Sequence, residues 1–120
     1  MTSFTDFVAS RPAAEQAEAD ILHYTEVLIE ALTMDAPEGY SYAIDGGRKY
    51  HKVWMSTESG NRSIHTFVDK KTGSVLKPAS TKAPAKGERY NLLDEASRED
   101  MFSRVEWSGG YLYRRWYYEL

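Results

Sequence analysis

YSYAIDGGRKYHKVWMSTESGNRSIHTFVDKKTGSVLK, residues 40–77, decides the fold. Its apolar and polar side chains alternate with a period of two, the spacing at which successive strand residues face opposite ways. Three turn signals interrupt it: Asp45-Gly46-Gly47, Gly60-Asn61 and Lys70-Lys71-Thr72-Gly73. The first two suit two-residue hairpin loops, and the third suits a type I turn closed by a left-handed glycine. The spacing therefore predicts four antiparallel strands, about 40–45, 48–58, 62–69 and 74–78.

The turns also predict a register. A Gly46-Gly47 loop pairs Tyr42 with His51, and a Gly60-Asn61 loop pairs Val53 with Val68 and Trp54 with Phe67. A glycine bulge at Gly73 pairs Val68 with Leu76. One face then holds Tyr40, Tyr42, Ile44, Val53, Met55, Ile64, Val68 and Leu76, and the other holds Tyr50, Lys52, Trp54, His65, Phe67 and Lys77. A slip of one residue would invert a strand, so agreement of three turns on one aliphatic face supports the pairing.

Upstream, Ser3-x-x-Asp6 suits the cap of a short first helix anchored by Phe4 and Phe7, and Ser10 with Pro12 suits the start of a second. This longer helix is expected over about 11–34, where Ala14, Ala17, Ile21, Tyr24, Leu28, Ala31 and Leu32 share one apolar face; Pro37 and Gly39 stop it. That face should cover the aliphatic side of the sheet, and their contact should be the main stabilising term. Downstream, Ser97-x-x-Asp100 suits the cap of a short helix reaching about Glu106, with Met101, Phe102 and Val105 inward. Gly109-Gly110 breaks it, and the aromatic tail YLYRRWYYEL reads as strand. The expected architecture is a single α+β domain over 1–120: a long N-terminal helix on a four-stranded antiparallel meander, then a short helix and an aromatic C-terminal segment.

Composition narrows the function classes. Cysteine is absent from the 120 residues, so disulfides, thiolate nucleophiles and cysteine zinc sites are excluded, and a reducing cytoplasm fits. No signal peptide is recognisable in MTSFTDFVAS, and no apolar run is long enough for a membrane span, so no membrane partner is expected. The net charge of −3 hides a segregation: residues 1–47 sum to −8, residues 48–90 to +7 and residues 91–120 to −2. Such asymmetry suits either a phosphate-bearing partner or an acidic helix packed beside a basic sheet.

The basic part contains KPASTKAPAKGERYN, residues 77–91. Its prolines favour extended backbone, from which Lys77, Lys82, Lys86 and Arg89 would project along one edge toward phosphate. Asn91 would hydrogen-bond the same ligand, and Tyr90 or Trp54 would stack on it. The competing readings are a solvated linker, or a basic segment lying against the acidic helix. The second sheet face, with its rings and lysines, suits base stacking, or a second core layer under the aromatic tail. Tyr111, Tyr113, Trp116, Tyr117 and Tyr118 around Arg114 and Arg115 suit self-association as well as a core strand. Catalysis is not expected. No glycine pattern of a nucleophile elbow, P-loop or dinucleotide fold is present. His51 and His65 fall on opposite faces and His23 on the helix, so no metal site and no cofactor is expected.

FVDKKTGSVLKPASTKAPAKGERYN, with LLDEASRED and SGGYLYR after it, resembles a family of small uncharacterised proteins of tailed bacteriophages. The shared elements are Lys71-Thr72-Gly73, Lys77-Pro78-Ala79, Lys82 to Lys86, Arg89, Asn91 and the GGYLYR tail. The resemblance covers residues 65–114 and leaves the N-terminal helix outside; Thr81 stands where the family has an aromatic, and Tyr90 where it has a glycine. It implies a phage origin and action in the cytoplasm of the infected host. It also argues against a mere linker at 77–91. At the level of class, small phage accessory proteins bind nucleic acid, redirect a host protein or sequester a nucleotide signal of host defence. The leading expectation is non-catalytic binding of a nucleotide or nucleic acid through Lys77, Lys82, Lys86, Arg89, Tyr90, Asn91 and Trp54. The alternative is a module that inhibits or redirects a host factor through the acidic helix or the aromatic tail. The N-terminal −8 counts against long duplex DNA.

Overall fold

The computed structural model describes the backbone of residues 4–113 and the side chains of residues 13–113. Helix α1 runs over Phe4–Asp35 without the break expected at residue 11, and Ser10 and Pro12 lie inside it. The run AAEQAE that follows is made of strong helix formers. At 32 residues the helix is ~48 Å long, whereas an eight-residue strand spans ~26 Å. Only its C-terminal half can therefore lie on the sheet. Ile21, Thr25, Leu28 and Leu32 are buried, Tyr24, Ile29 and Ala31 are half-buried, and Ala14 is exposed.

Among the described residues the sheet has five strands rather than four. These are β1 (Ser41–Gly46), β2 (Tyr50–Ser56), β3 (Arg62–Asp69), β4 (Ser74–Leu76) and β5 (Tyr90–Asn91). They are ordered β1-β2-β3-β4-β5, and every neighbouring pair is antiparallel. The two-residue β5 carries too few residues to show a period, and it pairs with β4 across the whole of the 77–89 segment.

A turn forms in each expected interval, but the first two lie at other residues and each pairing moves. The first turn tip is Arg48-Lys49, closed by the Gly47 N–H donating to the Tyr50 carbonyl at 3.0 Å. Tyr42 thus pairs with Met55 and Gly46 with His51. This shift is even, so the faces of β1 and β2 survive. The second loop closes from Thr57 to Asn61, with Gly60 left-handed at φ 90°. A bulge then adds one residue to β3: Val53 faces Thr66 while Trp54 faces Ile64. His65 is the extra residue, and it turns to the helix side, where its ring meets Tyr42 and Tyr111. Ile64 moves to the opposite face beside Trp54. In the third turn Gly73 is left-handed as expected, but Val68 pairs with Val75 and Phe67 with Leu76. Val75, not Leu76, therefore enters the core.

One core forms on the helix side from Ile21, Leu28, Leu32, Val53, Val68, Val75, Tyr90, Leu92, Met101, Tyr111 and Leu112. Helix α2 (Glu95–Arg104) starts two residues before Ser97, whose hydroxyl instead accepts the Asn91 N–H at 2.8 Å. Met101 is buried, with Phe102 and Val105 half-buried beside it. The Arg98 guanidinium lies 4.1 Å from the centre of the Tyr24 ring and ties α2 to α1. Left-handed Gly109 then leads into a 3-10 turn, Gly110–Leu112, where strand was expected; Tyr111 and Leu112 join the main core. The aromatic segment from 114 to 120, including Arg114, Arg115, Trp116, Tyr117 and Tyr118, lies outside the described residues. On the other face Phe67 is fully buried, with Tyr50 edge-on at 5.6 Å and the Lys52 ammonium 5.8 Å above. The Lys52 ammonium also donates to the Thr81 carbonyl, which draws the 77–85 segment over this face. No described helix is long and apolar enough to cross a membrane.

Candidate anion-binding cleft

The segment 77–89 is not extended. Pro78 and Pro84 form a bridge, Ala79 N–H donates to Ala83 O and Ala85 N–H to Lys77 O, making a small hairpin. The Ser80 hydroxyl accepts the N–H groups of Lys82 and Ala83 at its tip, both at 3.1 Å. The seven residues expected to meet a ligand are dispersed by this geometry. Tyr90 is buried in the core, and its hydroxyl donates to the Tyr111 carbonyl at 2.9 Å, so it presents no ring to a ligand. Asn91 donates to the Thr72 carbonyl and the Glu88 carboxylate while its own oxygen accepts the Leu93 N–H. Arg89 donates to the carbonyls of Leu112, Lys86 and Gly87 and so closes the loop against the 3-10 turn. Lys77 lies 4.3 Å over the Tyr113 ring, and Trp54 is half-buried under the Arg62 guanidinium at 4.2 Å. Lys82 and Lys86 are exposed. Here the chain's own carbonyls and rings occupy several of the groups that the composition assigned to phosphate.

The meander assembles a different cationic site. In an antiparallel meander the first and third turns lie at the same end of the sheet. Here those turns carry Arg48-Lys49 and Lys70-Lys71, and the Lys70 N–H donates to the Lys49 carbonyl at 3.0 Å, binding the two tips together. Between them and α1 opens a cleft of about 580 Å3 lined by Glu18, Arg48, Lys49, Asp69, Lys70, Lys71 and Thr72. None of its four cations is in an ion pair with a described residue. Asp69 is already engaged: one carboxylate oxygen accepts the N–H groups of Lys71 and Thr72 at 2.8 and 2.9 Å. Burial works to raise its pKa, but those bonds, the Thr72 hydroxyl and the Lys49 charge together hold it below the ordinary carboxylate range. Asp69 therefore stays ionised as a brace for the turn. Glu18 faces the cleft from the helix. These four cations escaped a reading based on local composition, because each pair looks like an ordinary polar turn. The signal that finds them is topological: two dibasic turns separated by two strands return to one end.

A second polar cluster lies inside. His65 Nε2 and the Tyr111 hydroxyl are 2.7 Å apart and buried. Burial lowers the His65 pKa from 6.5 to about 4, only partly offset by the Glu106 charge. Burial raises Tyr111 as well, and it raises Tyr42 to about 12 with help from Asp35 and Glu106. Glu106 accepts from the Ser108 N–H, the Ser108 hydroxyl and the Gly110 N–H, which fixes the turn holding Tyr111. This neutral His–Tyr pair holds the C-terminal turn on the bulge of β3.

Cavity volume, lining charge and turn geometry thus converge on the sheet end rather than on residues 77–91. No curated protein and no solved structure matches the chain. Residues 4–114 match the model of a family described as "Family of unknown function (DUF7717)", and the chain belongs to that family.

Proposed function

We propose that the protein binds a phosphate-bearing small molecule, without catalysis, in the cleft between the Arg48-Lys49 and Lys70-Lys71 turns. The observation that carries this reading is four cationic residues lining one concave site without an ion pair among the described residues. Like charges held together repel, and an anion entering the site relieves that repulsion while gaining charge-assisted hydrogen bonds. A volume near 580 Å3 falls in the size range of small-ligand pockets. The acidic α1 beside it disfavours a long polyanion, so a compact ligand fits better than duplex nucleic acid. The likeness of residues 65–114 to small tailed-phage proteins supports placing this binding in an infected bacterial cytoplasm. Sequestration of a host nucleotide signal is the role of that kind which the site suits.

The test is calorimetric titration with a nucleoside diphosphate at low and raised salt. Wild type should bind, and more weakly as salt rises, since exposed charges are screened beyond ~10 Å at 0.1 M. Lys70→Ala with Lys71→Ala should cost roughly tenfold or more, the effect of losing a charged hydrogen bond of about 1.5–3 kcal/mol. Lys82→Ala with Lys86→Ala should bind as wild type does. Loss of binding in this second pair alone would return the site to the 77–89 hairpin. Absence of binding in wild type would end the proposal.

One observation favours a second reading, a module that docks on a host protein. Residues 13–20 of α1 are all exposed except half-buried Ala17 and Asp20, and include Glu15 and Glu18. Docking there would survive the Lys70 and Lys71 changes and fail when Glu15 and Glu18 become lysine.

A further inference from the structure

A groove of about 370 Å3 adjoins the cleft and shares Glu18 and Lys70 with it; Glu15, Ala19, Leu22 and His51 complete its lining. The polarity reverses across the seam. The cleft gathers four cations, whereas the groove sets two carboxylates beside one lysine and one imidazole. A ligand filling both must be anionic at one end and must donate hydrogen bonds at the other.

His51 sharpens this requirement. Its Nδ1 is enclosed and has no hydrogen-bond partner among the described residues. Burial, and then the Lys70 charge, depress its pKa, although Glu26 opposes them. A neutral ring must place its one proton, and an enclosed unpaired N–H is rarer than an enclosed unpaired acceptor. The proton is therefore assigned to Nε2, which makes this groove-lining ring a donor through that nitrogen. Leu22, 38% exposed, and exposed Ala19 give the groove an apolar floor. The groove thus offers carboxylate acceptors, one neutral donor and a small apolar surface, which is the complement of a polyhydroxylated ring. An ammonium group would also satisfy the carboxylates, but it would lie beside Lys70, and hydroxyls carry no such repulsion.

We infer that the ligand is a phosphorylated ribose, free or within a nucleotide, with its phosphate among Arg48, Lys49, Lys70 and Lys71 and its vicinal hydroxyls against Glu18, Glu15 and His51. Carboxylate recognition of ribose hydroxyls is a recurrent device in nucleotide sites. The inference rests on the phosphate reading above and adds the sugar.

Glu18 borders both cavities, which gives a test by reversal of sign. Toward bare pyrophosphate its charge is repulsive; toward a ribose it is an acceptor. Calorimetry should compare pyrophosphate, ribose 5-phosphate, ADP and 2′-deoxy-ADP on wild type and on Glu18→Gln, a change at an exposed site. In wild type ADP should bind roughly tenfold tighter than 2′-deoxy-ADP, the scale of one lost hydrogen bond to a charged group. Glu18→Gln should tighten pyrophosphate and erase most of that tenfold preference. If ADP and its deoxy form bind alike while Lys70→Ala weakens both, the ribose assignment is overturned and the phosphate site stands. If no phosphate compound binds wild type, both are overturned. Preference for a short oligoribonucleotide over ADP would overturn the small-molecule form of the inference.

Discussion

His65 carries a cost that depends on pH. It occupies the bulge of β3, its Nε2 is 2.7 Å from the Tyr111 hydroxyl, and it is buried. The unfolded chain takes up a proton at this residue near pH 6.5, but the folded chain resists until about pH 4. Between those values the unfolded state holds more protons, so falling pH favours unfolding. The stability is intact above pH 6.5 and its loss is complete below about pH 4. A shift of that size corresponds to something on the order of 3 kcal/mol. Urea titrations from pH 7.5 to 5 should show wild type weakening and His65→Gln, whose amide can still donate to or accept from the Tyr111 hydroxyl, weakening less. His51 is depressed in the same direction, so some slope should remain in the variant. An unchanged slope would mean that His65 does not titrate between the two states. At this scale the sequence was informative where a residue answers to its own backbone. Gly60 and Gly73 have positive φ in the turns that required it. It was silent where partners are remote. Arg89 looked like a phosphate contact because the Leu112 carbonyl that it meets lies 23 residues away.

A strand's register is decided by single residues, and β4 shows the consequence. Alternation in residues 74–76 is compatible with either Val75 or Leu76 facing the helix. The turn arithmetic chose Leu76, and the backbone chose Val75: the Gly73 N–H donates to the Asp69 carbonyl at 3.0 Å, and Val68 then pairs with Val75. Val75 is fully buried in the core, while Leu76 is half-buried on the opposite face beside Phe67. An amide at Val75 would forfeit about 1.5–3 kcal/mol of burial and leave a polar group enclosed at a further cost of about 1–3 kcal/mol. Val75→Asn is thus expected to destabilise by about 3–5 kcal/mol, and Leu76→Asn by about 1 kcal/mol. Chemical denaturation of the two variants would order them; a larger loss at Leu76 would restore the register read from the turns. The bulge at His65 shows why the elements themselves were legible and their faces were not. Strand existence follows from a period of two, which survives an inserted residue, but the facing of every residue beyond the insertion inverts. Strand β5 left even less signal, since two residues have no period.

Charge is segregated along the chain and again in space. The −8 of residues 1–47 is carried mainly by α1, and the +7 of residues 48–90 by strands, turns and the 77–89 hairpin. That contrast is plain in the sequence. Which cations share a site is not, because it depends on the two turns that the meander returns to one end. The arrangement makes a prediction about how the intact protein melts. Attraction between the acidic helix and the basic sheet end acts over several ångströms through solvent, so chloride salts should screen it and lower the melting temperature slightly. The four cations of the cleft act in the other direction only toward an anion that fits. Phosphate or pyrophosphate at millimolar concentration, in a background of constant ionic strength, should therefore raise the melting temperature by mass action, by about 2.7 kcal/mol of stability at a hundredfold excess over the dissociation constant. Lys70→Ala with Lys71→Ala should abolish the rise while keeping the response to chloride, because it empties the cleft of half its cations and leaves the long-range contrast nearly whole. A rise of equal size in that variant would mean that the anion acts on the whole surface, and that the converging turns hold no site.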